Sequence, residues 1–139
     1  MSEFCLTPFA QLLGIQHLGM DGNWFVAHVT PTVDHVNGLG TVHGGLLTAI
    51  MDDTAGTLIY SYVGKPVAFT TEMTTEFIAR ASMGRVLTVR ACRIVTDKIN
   101  NETKVIVEVR DEDKLIATSH SRWRHVTPVH LRKVALSTE

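Results

Sequence analysis

One segment limits the fold more than any other. From Leu46 to Tyr62, positions 46, 47, 50, 51, 54, 55, 58, 59 and 62 are mostly apolar, the period of an α-helix sustained for longer than anywhere else in the chain. On a wheel of 100° per residue, Leu46, Leu47, Ile50, Met51, Leu58 and Tyr62 form one broad face, wide enough to bury against a sheet. Asp52 falls almost opposite the centre of that face, in a stripe with Gly45, Thr48, Ala55, Gly56 and the single bulky Ile59. Carboxylates are mostly solvated, and a plain surface acid is the ordinary reading. Such an acid usually has long polar neighbours, however, and small ones let a backbone or a ligand come close. Asp53 lies about 100° round the helix, towards the edge of the bulky face.

Upstream, Gly38-Leu39-Gly40 and Gly44-Gly45 permit tight backbone turns. A helix that starts near Gly44 leaves its first N–H groups unpaired at the positive end of its dipole, where a developing oxyanion is stabilised. Gly44 and Asp52 are about 12 Å apart along such a helix, too far for both to act on one carbonyl within one chain. If both are catalytic, the site combines Gly44 of one subunit with Asp52 of another, and the protein is an obligate dimer.

The rest of the chain supplies partners for the helix. Thr7, Pro8 and Gly14 read as the N-cap, first residue and stop of a short helix. Ile15–Met20 and Trp24–Thr30 flank the turn-prone Asp21-Gly22-Asn23 as a hairpin. After the break at Gly64-Lys65-Pro66 come four strand-like runs: Val67–Ile78, Arg85–Asp97, Thr103–Arg110 and Lys114–Val126. A short helix, two strands, a long helix and four strands make an α+β fold, a sheet wrapped around one helix. With 139 residues, one domain spanning 1–139 is expected, with a core of about 7–126 and a loosely ordered tail over 127–139.

Several functions are disfavoured. A net charge of −1 without a basic face argues against nucleic acid. No apolar run approaches the ~18 residues of a membrane span. Met1–Phe4 has none of the regions of a signal peptide, so a cytoplasmic location is expected. Cys5 and Cys92 have no metal or redox spacing, and the seven histidines form no zinc pattern, so no metal is expected.

The run Asn37…His43-Gly44-Gly45…Asp52 resembles the active-site segment of hotdog-fold acyl-CoA thioesterases. It is most similar to the phenylacetate-pathway (PaaI-like) group of the 4-hydroxybenzoyl-CoA thioesterase superfamily. In that family a His-Gly-Gly turn opens the central helix, an acid nine residues after the His is catalytic, and Asn or Gln six residues before it belongs to the site. Asn37, His43 and Asp52 match these spacings, and the resemblance extends over roughly residues 7–125. It implies a hotdog domain, an antiparallel sheet around a long central helix. It also implies hydrolysis of an acyl-CoA, with no cofactor beyond the coenzyme A of the substrate.

On that resemblance Asp52 is the general base or the nucleophile, two routes that the residues leave open. Gly44 is the oxyanion donor, and Asn37 orients the water or the carbonyl. His43 fixes the loop or the leaving sulfur, unless it is simply a loop histidine bonded to backbone. Thr70, eighteen residues after the acid, stands where related enzymes hold the nucleophilic water, although Thr is also an ordinary strand residue. Gly45 and Asp53 are expected beside the substrate, and Asp53 makes a double acid that departs from the commonest family pattern. Arg80 and Arg85, with Lys65 and Lys98, are candidates for the coenzyme A phosphates. Self-association is expected as a dimer, extended to a dimer of dimers. Two alternatives are a hotdog hydratase or dehydratase pairing His43 with Asp52, and a silent acyl-CoA-binding module.

Overall fold

The computed structural model describes residues 7–63 and 68–126. Cys5, the break at Gly64-Lys65-Pro66 and the tail 127–139 lie outside them. Helix α1 (Pro8–Leu13) is closed as its sequence predicts. Thr7 Oγ1 accepts from the Ala10 N–H at 3.1 Å, Pro8 sits in the first turn, and Gly14 ends it at φ 75°. Strands β1 (Gln16–Asp21) and β2 (Trp24–Val29) form the hairpin around Gly22-Asn23. A short 3₁₀ turn over Val33–His35 precedes the loop to α2 (Gly44–Val63). Then follow β3 (Ala68–Phe77), β4 (Leu87–Asp97), β5 (Glu102–Asp111) and β6 (Lys114–His125).

All six strands join one antiparallel sheet in the order β1-β2-β4-β5-β6-β3. Helix α2 lies on its concave face, against β4, β5, β3 and β2, and carries the chain from the β1–β2 side to the opposite edge. This is an α+β hotdog domain. Leu46, Leu47, Ile50, Met51, Leu58 and Tyr62 are buried, as the wheel predicts. They meet alternate residues of the strands: Phe25, Ala27 and Val29 of β2, Leu87, Val89 and Ala91 of β4, and Val105, Val107 and Val109 of β5. A fully buried Ile50, Met51 or Leu58 side chain each contributes about 1.5–3 kcal/mol.

The small-residue stripe is not a free face. Ala55 and Ile59 are buried as well, because the sheet curls round the helix. At Gly56 an added Cβ would come within 2.9 Å of the Trp123 ring, and at Gly44 within 3.3 Å of the Phe77 ring. At Gly56 in the stripe, and at Gly44 outside it, the missing side chain is therefore replaced by an aromatic ring of the same chain.

Candidate active site

The site begins with a loop that Asn37 closes. Its Oδ1 accepts from the N–H groups of Leu39 (2.9 Å) and Thr41 (3.1 Å), and its Nδ2 donates to Thr41 Oγ1 at 2.9 Å. Backbone bonds from Asn37 N to Thr41 O and from Gly40 N to Asn37 O complete the turn, with Gly40 at φ 82°. Asn37, expected to orient a water or a carbonyl, braces the loop through these bonds. Among the glycines read as turn formers, Gly44 and Gly45 are helical and serve close approach.

His43 then consumes most of the open end of α2. Of the first four N–H groups, Gly45 donates to His43 Nδ1 at 2.7 Å, and Leu46 and Leu47 donate to the His43 carbonyl at 3.0 and 3.2 Å. Accepting at Nδ1 leaves the ring proton on Nε2. Gly45 must be glycine, since a Cβ there would lie 2.9 Å from His43 Nδ1. With its N–H tied to the imidazole, Gly45 is part of the cap of α2. Among the described residues, only the Gly44 N–H of this first turn has no acceptor. The positive end of the helix is thus concentrated on one donor.

Two turns further on, Asp52 points at β3. Thr70 Oγ1 donates to Asp52 Oδ1 at 2.6 Å, and a β-bulge between Thr70 and Glu72 lies beside this contact. Burial raises the Asp52 carboxyl above its ordinary 3.8, the Thr70 hydrogen bond pulls it down, and the charge of Asp53 adds a further upward push. Asp53 itself turns the other way, to β1, where His17 Nε2 lies 3.3 Å from its Oδ2. His17 was not legible as a site residue: one inward-facing histidine on a strand carries no spacing signal. Nor does the structure pair His43 with an acid in the same chain, since its ring is the cap of α2.

The arginines separate. Arg80 is exposed and adjoins Ala81, whose carbonyl accepts from Val42 N at 3.0 Å, so it stands at the Gly44 end of the site. Arg85 is held in ion pairs. It binds Asp111 Oδ1 (2.8 Å) and Glu112 Oε1 (2.6 Å) at the β5–β6 turn, and these acids hold its guanidinium in the charged form. Lys98 lies in the β4–β5 turn, exposed. Among the described residues, no three His, Cys, Asp or Glu side chains gather as metal ligands, and no helix is long and apolar enough to cross a membrane.

A carboxylate held on the central helix of a hotdog sheet, with one open N–H at the start of that helix, defines the class as a hotdog thioesterase. The sequence profile of the Thioesterase superfamily matches residues 39–115, more than half of the chain, and the chain belongs to that family. Its reaction is the hydrolysis of an acyl thioester. The fold is similar to a phenylacetic acid degradation-related protein of Ralstonia eutropha, with TM-score 0.75 and 25% identity over 84% of this chain and 89% of that one. PaaI of the E. coli phenylacetic acid degradation operon gives TM-score 0.78 and 22% identity, over 88% and 87% of the two chains. Thioesterase superfamily member 2 of Mus musculus gives 0.73 and 19%, over 86% and 87%. The architecture is PaaI-like. No curated protein matches the chain in sequence.

Proposed function

We propose that the protein hydrolyses acyl-CoA thioesters in a site shared between two subunits. The observation that carries this reading is the hydrogen bond of 2.6 Å from Thr70 to Asp52, which fixes a half-buried carboxylate of α2 against β3. Asp52 acts on a water or directly on the thioester carbon. In the first route the water oxygen bonds to the carbonyl carbon while Asp52 takes its proton. The carbonyl oxygen, now an oxyanion, accepts from the Gly44 N–H of the partner subunit. The C–S bond then breaks, and the thiolate of coenzyme A takes up a proton.

The division between subunits rests on the helix itself. α2 is unbroken from Gly44 to Val63, so its open N–H and its acid stay about 12 Å apart. The exposed edge of β3, which has no strand partner among the described residues beyond β6, offers a surface for a second copy. Asn37 and His43 serve by positioning the loop and the Gly44 N–H. Arg80, on the same loop system, is the candidate for a phosphate of coenzyme A.

The test is thiol release from short, medium, long-chain and aryl acyl-CoAs by native protein and Asp52→Asn. Turnover of at least one ester, reduced about 10²–10⁴-fold in the variant, is the expected result. Equal turnover by both proteins would remove Asp52 from the mechanism, and tight ester binding without turnover would make the protein a binding module.

A further inference from the structure

The hydrolytic reading leaves the second carboxylate of α2 without a task. The Asp53 side chain is 13% exposed and that of His17, its hydrogen-bond partner, 5%. The His17 ring stands edge-on to Phe25, with centroids 5.5 Å apart and planes at 75°, so the buried core fixes where the donor stands. Asp52 and Asp53 are consecutive and project about 100° apart. Each takes its contact from an opposite edge of the sheet, Thr70 from β3 and His17 from β1. Among the described residues, the ionisable groups facing this part of the helix are few. β2 and β4 present Phe25, Ala27, Val89 and Ala91 on the concave face, and α1 has no ionisable side chain. Arg93 lies over Tyr62 near the end of α2, and His125 binds Thr103 near the end of the sheet.

We propose that His17 and Asp53 are positioning residues for the reaction: His17 clamps the Asp53 carboxylate on the β1 side of α2, where it stands as a fixed neighbour of Asp52. A like charge on the adjacent residue disfavours ionisation of its neighbour, and a carboxylate that binds its proton more tightly is the better proton acceptor once ionised. Without the clamp, the Asp53 charge moves into solvent and its influence on Asp52 fades. The inference rests on Asp52 being the working acid.

The experiment is the pH dependence of kcat/KM for native protein, Asp53→Asn, His17→Phe, His17→Gln and the His17→Phe/Asp53→Asn double variant, using the acyl-CoA that the native protein turns over fastest. The acid limb is expected to move to lower pH in Asp53→Asn and to move the same way in His17→Phe. His17→Gln, which keeps a donor, is expected to restore the native limb. In the double variant, His17→Phe should add nothing further, as for residues that act as one unit. An unmoved limb in Asp53→Asn overturns the proposal. So does a His17→Phe loss of equal size with and without Asp53, which marks a packing role only. Asp52→Asn, assayed in parallel, separates the two questions: if it remains active, the assignment of Asp52 has failed and not merely that of its neighbours.

Discussion

Thr70 acts on Asp52 in two opposed ways. Its hydroxyl fixes the carboxylate where a substrate would meet it, and it also stabilises the ionised form against burial. Thr70→Val keeps the shape and removes the donor. The expected result is a loss of about tenfold to a hundredfold in kcat/KM, the worth of a hydrogen bond to a charged group, with the acid limb moved to higher pH. Asp52 itself works against the fold. A carboxyl whose value is raised by folding contributes its full stability below the ordinary 3.8 and loses it as pH rises through the raised value. Asp52→Asn is therefore expected to melt above the native protein at pH 7, with the gap closing as the pH falls towards 4; thermal melts across that range check it. The residue types of the site were legible, since the spacing of Asn37, His43 and Asp52 marked the loop and the acid. Their contacts were not. Within the run of threonines only the family resemblance singled out Thr70, and the charge of Arg85 says nothing of Asp111, 26 residues away. For that arginine, Arg85→Ala is expected to leave KM for acyl-CoA unchanged, whereas Arg80→Ala raises it.

At the level of elements, β3 shows why a strand can be legible and its phase not. Inward-facing positions run 68 and 70 and then, across the bulge, 73 and 75. The extra residue, Thr71, donates to the Arg122 carbonyl at 3.1 Å, and from there the alternation is reversed. A period-2 reading of the sequence averages over this shift, whereas the 3.6-residue period of α2 has no interruption and fixed the buried face correctly. The small stripe of α2 was legible as close approach, but which ring fills it depends on β6. Gly56 is the sharper case. Alanine there gains about 1 kcal/mol in helix propensity, but its Cβ would lie 2.9 Å from Trp123, and overpacking costs about 1–3 kcal/mol. Denaturant unfolding of Gly56→Ala is expected to show net destabilisation, the reverse of what propensity alone predicts.

For the whole molecule, the arrangement of α2 across the sheet makes the sheet's two edges unequal. β1 supplies His17 to Asp53, while β3 supplies Thr70 to Asp52 and keeps its other side open. If a second copy adds to that side, specific activity should fall on dilution with the same midpoint as dissociation in sedimentation; activity unchanged in a monomer would leave Gly44 and Asp52 without a common substrate. The packing of Trp123 also makes the protein its own optical probe. The chain has two tryptophans. Trp24 is on the convex face with Arg90 4.4 Å from its ring, whereas Trp123 is buried, pairs with Thr70 across the β3–β6 ladder and covers Gly56, one helical turn from Asp52. Replacing Trp24 by phenylalanine would leave a single emitter, so that the binding of a thioester beside Asp52 could be followed as a change in fluorescence before any bond is broken.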